Sequence, residues 1–127
     1  MNKTRTIISF FIFFFISFIS CAQPDFFTRY YFKNLNIRDG LSQNTVNAIL
    51  QDSKGFIWFG TKDGLNRYDG LSFRVFKFDV RTKKSIGNNF ITALYEDQKG
   101  TIYVGTDAGL YVYSPITESF IRFSLRS

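Results

Sequence analysis

The sequence predicts an all-β chain of short antiparallel strands gathered into repeated four-strand units. Three observations carry that expectation. Aromatic residues make up 20% of the chain, with 17 Phe and 7 Tyr, and such side chains favour pleated, half-buried surfaces. The stretch GFIWFGTKDGLNRYDG at Gly55–Gly70 returns 45 positions later as GTIYVGTDAGLYVYSP at Gly100–Pro115. Between the copies, the apolar runs are short and are cut repeatedly by Gly and Asp. A helix would need longer runs with fewer interruptions.

The chain opens with Lys3 and Arg5, followed by the uncharged run Ile7–Ser20 and then Cys21-Ala22. A charged start, a short apolar run and small residues at its end make an export signal. The run is short for a membrane span, which takes ~20 apolar residues. Residues 1–22 are therefore expected to be a signal peptide, cleaved after Ala22. Lipidation at Cys21 is the alternative, and an uncleaved anchor comes third. Each route places the remainder outside the cytoplasm. A single Cys excludes an internal disulfide and a CxxC redox pair. The absence of His excludes Ser-His-Asp and Cys-His catalysis and His metal ligands. Without Lys3 and Arg5 the formal charge falls from +6 to +4. The basic run is confined to Arg81, Lys83 and Lys84, so no nucleic-acid partner is expected.

Aligning Asn44–Phe78 with Asn89–Phe123 at a constant offset of 45 gives twelve identical pairs in 35 and needs no gap. Chance would give on the order of two. Each copy opens with an apolar run, VNAILQD or ITALYED. A turn follows, Asp52 to Gly55 or Asp97 to Gly100. Asp opens such a turn by accepting from the next backbone amides, and Gly closes it by tolerating positive φ. The second run is FIWFGT or TIYVGT, apolar on both faces as a covered strand would be. Lys62-Asp63-Gly64 or Asp107-Ala108-Gly109 makes a tight hairpin. The third run, LNRYD or LYVYS, ends at Gly70 or Pro115. FRVFKF and SFIRF supply the fourth, with Val75–Phe78 set against Phe120–Phe123.

Four short strands in about 45 residues is the spacing of a β-propeller blade. Tyr30–Leu35, YYFKNL, reads as a lone fourth strand able to close a ring without leaving an open edge. The expected fold is an incomplete β-propeller: two four-stranded antiparallel blades plus one N-terminal closing strand. The segments are 23–44 for the closing strand and its connecting loop, 45–79 for the first blade repeat and 80–127 for the second. Closed rings take ~4–8 blades. The chain is accordingly expected to be the N-terminal piece of a longer protein or the product of a broken gene. Its expected partners are further blades or, failing those, other copies of itself.

From Gly40 to Gly70 the sequence GLSQNTVNAILQDSKGFIWFGTKDGLNRYDG resembles the two-component regulator propeller repeat. The second copy departs from it, with Tyr103 for Trp58, Ser114 for Asp69 and SIGNN for GLSQN. The resemblance implies the exported sensor half of a hybrid two-component histidine kinase of the kind found in Bacteroidetes. In that family, propellers and a β-sandwich precede a membrane span, and the kinase lies inside the cell. The implied ligand is an oligosaccharide. The phosphoacceptor His of a kinase is missing from this sequence, so no catalysis is expected of it. An exported propeller enzyme acting on glycans and a self-associating scaffold are the alternatives.

The signature residues have structural readings beside their functional ones. Asp52 and Asp97 could pair as catalytic carboxylates, but their repetition favours a turn in each blade. Trp58 and Tyr103 could stack on a sugar, but their place in mid-strand favours blade packing. Gly60-Thr61 and Gly105-Thr106 lack the Lys-Ser/Thr of a phosphate loop. Gly64, Leu65 and Tyr68, with Gly109, Leu110 and Tyr113, complete the repeat. Asp63–Gly70 lacks the alternating acids of a calcium loop, and no metal or cofactor is expected. The connecting loops Arg38–Asn44 and Arg81–Asn89 form one mouth of the expected ring, where propellers place ligands; no binding residue is assigned there.

Overall fold

Each repeat folds into a four-stranded antiparallel meander. The computed structural model describes residues 31–124, and Cys21, Ala22 and the expected signal peptide lie outside the described residues. Strands β1 (Val46–Gln51), β2 (Ile57–Thr61), β3 (Gly64–Tyr68) and β4 (Phe73–Phe76) make the first sheet. Strands β5 (Ile91–Glu96), β6 (Ile102–Thr106), β7 (Gly109–Ser114) and β8 (Ser119–Arg122) make the second. Each sheet keeps its strands in chain order, as short loops require. The first strand of each carries the same irregularity, between Val46 and Ala48 in β1 and between Ile91 and Ala93 in β5. The unpaired Asn47 uses it to donate to the Ile91 carbonyl of the other sheet at 3.0 Å.

The β2–β3 hairpins are built alike. Lys62 and Asp63 form a two-residue loop between the paired Thr61 and Gly64. The left-handed residue is Gly64, at φ +130, with Gly109 at φ +125 in its place in the second sheet. The Thr61 hydroxyl accepts from the Asp63 amide at 3.0 Å and donates to the Gly64 carbonyl at 2.9 Å. Thr106 does the same with Ala108 and Gly109. Glycine at the left-handed position of a short loop is the usual way to turn a twisted pair of strands.

The two sheets stack face to face, and the core lies between them. The first contributes Trp58, Leu65 and Phe76; the second contributes Ile91, Ile102, Val104, Tyr111, Tyr113 and Phe120. Burying each large apolar side chain contributes about 1.5–3 kcal/mol, so the interface dominates the stability of both sheets. Ile86, fully buried, plugs the same core from the connector before β5. Leu41 is its counterpart before β1, following a 3-10 turn at Ile37–Asp39 that Asn36 caps.

Two expectations are corrected or bounded here. The constant offset of 45 holds through the third strand and then becomes 47. Tyr68 pairs with Phe73 and Leu65 with Phe76, whereas Tyr113 pairs with Phe120 and the Phe123 amide donates to the Leu110 carbonyl. The equivalents are thus Phe73 with Phe120 and Phe76 with Phe123; Phe78 and Phe123 match only in the gapless alignment. Pro115 is the cause. Gly70 turns the first sheet at φ +99, but the proline ring holds φ near −65°. The second turn therefore opens by two residues, and the left-handed backbone passes to Glu118 at φ +46. As for the closing strand, Tyr30 lies outside the described residues and 31–36 carry no strand. Its partner would belong to a further blade, which the described residues do not include.

Candidate functional site

Trp58 and Leu65 of the first copy lie on the face where the sheets meet, whereas Leu110 of the second copy is exposed. Asp52 opens the β1–β2 turn as a side-chain hub. Its Oδ1 accepts from the amides of Lys54 at 3.0 Å and Phe56 at 2.9 Å, and its Oδ2 accepts from Trp58 Nε1 at 2.8 Å. The turn closes with the Gly55 amide donating to the Asp52 carbonyl, with Gly55 at φ +90. Asp97 repeats this, accepting from Lys99 and Thr101 amides at 2.9 and 2.8 Å. The Tyr103 hydroxyl reaches its Oδ2 at 3.4 Å. The change from Trp58 to Tyr103 therefore keeps an aromatic ring with a donor at its tip. These bonds, led by that from Thr101, hold the Asp97 carboxyl below its usual range. With both carboxylates committed to their own turns, the arrangement has no acid–base pair to offer a substrate.

Gly60 is a contact point between blades. A Cβ there would lie 2.6 Å from Ile91 Cγ2, so only glycine lets the two backbones approach this closely. Trp58 packs edge-on against Tyr113 at 4.9 Å and stacks with Phe76 at 6.0 Å.

Sequence reasoning missed the charged part of the interface. The Arg67 guanidinium lies 4.9 Å from the Phe56 ring centroid and donates to the Tyr113 hydroxyl at 2.9 Å. It also pairs with Glu118 at 3.0 Å, while Arg74 takes the other Glu118 oxygen at 2.9 Å. Burial pushes the Tyr113 phenol up from its ordinary value, against the opposing field of Arg67. The only signal in the sequence was that Arg67 stands where the second copy has Val112. On the opposite side of the Trp58 turn, Glu96 accepts from the Ser53 amide at 2.8 Å and its hydroxyl at 2.6 Å.

The antiparallel order brings the connectors 37–45 and 79–90 to the same end as the β2–β3 hairpins. Contacts there are direct: the Gly64 amide donates to the Asn89 carbonyl at 2.8 Å, and Ser42 meets Thr61 at 2.9 Å. Asp63 pairs with Lys77 at 2.6 Å and accepts from Asn89 at 3.3 Å. This end is polar and made of loops, whereas the interface is apolar and made of strands. Among the described residues no group of three potential metal ligands is found.

Stacked four-stranded meanders that share one repeat, each set to cover the signature face of the one before, define this as a piece of a β-propeller. Two stretches of the chain, residues 40–63 and 85–108, match the two-component regulator propeller family. The chain is 37% identical over 70 residues to Histidine kinase P4 of Formosa agariphila, covering 55% of this chain and 5% of that protein. It also matches the extracellular domain of BT3049 of B. thetaiotaomicron, described as a hybrid two component system. That match has 36% identity and a TM-score of 0.68 over 74% of this chain and 13% of that domain. The extracellular domain of BT4673 from the same organism, described as a one component system, matches with 27% identity and a TM-score of 0.62. It covers 76% of this chain and 14% of that domain. The chain thus spans a small fraction of each of these relatives. No helix among the described residues is long and apolar enough to cross a membrane.

Proposed function

We propose that these blades belong to the exported, non-catalytic sensor region of a two-component histidine kinase, and that the region binds an oligosaccharide. The supporting observation is the division of labour just described. The repeat signature packs strand on strand, and the connector end is polar and made of loops. That division suits ligand recognition by loops on a rigid scaffold. The likeness to extracellular domains of two-component systems supports an exported location. The location proposed is the periplasmic side of the inner membrane, with lipidation at Cys21 as the alternative anchor.

The proposed partner of the second blade is a further repeat of the same unit. Its outward face carries Tyr103, Leu110, Ile121 and Phe123, the last three 37%, 65% and 42% exposed. Their counterparts in the first blade, other than Arg74 at the Ile121 position, lie in the core. Two measurements test the reading. An alkaline phosphatase fusion after Ser127 is expected to be active in a Gram-negative host; an inactive, cytoplasmic fusion overturns the location. Calorimetric titration of the whole sensor region with a panel of polysaccharide-derived oligosaccharides is expected to give saturable heat for at least one. No heat across the panel overturns the ligand class.

A further inference from the structure

We propose that Arg67, Arg74 and Glu118 form a junction lock that selects which repeat can sit beside the first blade. Arg67 and Arg74 are direct cross-strand partners in β3 and β4. Like charges placed directly opposite each other repel, so this pair needs an anion. The nearby acid of the same blade, Asp69, is committed to its own turn, accepting from the Leu71 and Ser72 amides at 2.8 and 2.7 Å. The neutralising carboxylate comes from the second blade, where Glu118 spans both guanidinium groups. Tyr113, also of the second blade, accepts from Arg67 as well.

The position of Glu118 is unusual in itself. Among the described residues it is the one non-glycine with positive φ, a conformation that a Cβ disfavours. It sits in the turn that Pro115 lengthens by two residues. Such a residue persists only where its surroundings over-determine it, and here the two arginines do so.

The other side of the second blade is built differently. Val112 and Ile121 are cross-strand partners and stand where Arg67 and Arg74 stand in the first blade. Leu71, at the place of Glu118, is exposed in the first blade. One face of the second blade therefore answers charge, and the other presents apolar side chains. A misplaced repeat would set two arginines against a leucine, or a glutamate against valine and isoleucine. Because the apolar signature is common to all repeats, it cannot tell neighbours apart. An ionic cluster can: its side chains are partly exposed, at 21% for Arg67, 36% for Glu118 and 61% for Arg74, and what separates a right neighbour from a wrong one is the repulsion between two facing arginines when no carboxylate spans them. This inference concerns blade order and stands whether or not the proposed ligand is right.

The test uses the full chain with Cys21→Ser and paired cysteines Ser53→Cys and Glu96→Cys, which face each other across the interface. A short bis-maleimide then reports which blades are docked. With the lock intact, products are expected within single chains. In Arg67→Met/Glu118→Met the apolar replacements keep cooperative unfolding, and products between chains are expected to rise several-fold. An unchanged product distribution overturns the proposal. If that double variant does not unfold cooperatively, Glu118→Gln, which keeps the side-chain shape and removes the charge, decides by the same ratio.

Discussion

The two blades share a sequence pattern but not an environment. Trp58 is 1% exposed and Leu65 0%, because the second blade covers them. Their counterparts Tyr103 and Leu110 face outward, with Leu110 at 37%. Phe76 is at 8% and its structural equivalent Phe123 at 42%. The geometry within each blade is nonetheless preserved: the Trp58–Phe76 ring distance is 6.0 Å and that of Tyr103–Phe123 is 6.1 Å. A blade thus sets its own side-chain arrangement, and its neighbour decides how much that arrangement contributes to stability.

Matched substitutions break or sharpen this comparison. Trp58→Ala is expected to cost about 3–5 kcal/mol, and Tyr103→Ala about 1 kcal/mol, by denaturant unfolding of the full chain. Trp58→Ala also leaves an Asp52 oxygen without its indole donor. Leu65→Ala should cost about 2–5 kcal/mol and Leu110→Ala under about 1 kcal/mol. Equal losses within either couple would show that a covering neighbour is present in solution on the second blade too. Next in size is Gly60→Ala, at about 1–3 kcal/mol, because the added methyl would meet the fully buried Ile91. Gly105→Ala should cost less than Gly60→Ala, since its Cβ would lie 3.1 Å from the Thr92 hydroxyl, which can turn away, and 3.3 Å from Ala93 Cβ, against 2.6 Å from Ile91 Cγ2 at Gly60. A reversed order would remove Gly60 as the point of close approach.

The smallest effect is in acid. The Asp97 carboxyl is lowered in the folded chain, chiefly by the Thr101 amide. Its contribution is complete above the unfolded value of about 4. It is lost as pH falls through the lowered folded value. Asp97→Asn should therefore flatten the loss of stability below about pH 4, as read from urea midpoints at a series of pH values. A slope as steep as that of the unchanged chain would show that the turn bonds do not favour the charged form. Asp69 and Asp79, also lowered by backbone amides, keep the remaining slope above zero.

Much of the fold was legible because it is local. Asp52, Gly55, Gly64 and their partners 45 positions later mark turns by chemistry that acts within a few residues. The short apolar runs between them mark strands, and recurrence marks blades. The offset of 47 in the last strand was not legible, since Phe78 and Phe123 align without a gap. The ladder chose Phe76 and Phe123 because Pro115 cannot take the left-handed angle of Gly70. The charged cluster was equally hidden, because nothing local joins Arg67 to Glu118.

The sequence by itself determined the strands, the turns, the repeat and, through the repeat, the family likeness. Those follow from backbone preference and side-chain period, which operate over a few residues. Only the tertiary structure decided which face of each blade is covered, that Gly60 receives Ile91, and that Glu118 answers two arginines on the other blade. Those outcomes depend on which surfaces meet, and identical motifs carry no record of their neighbours.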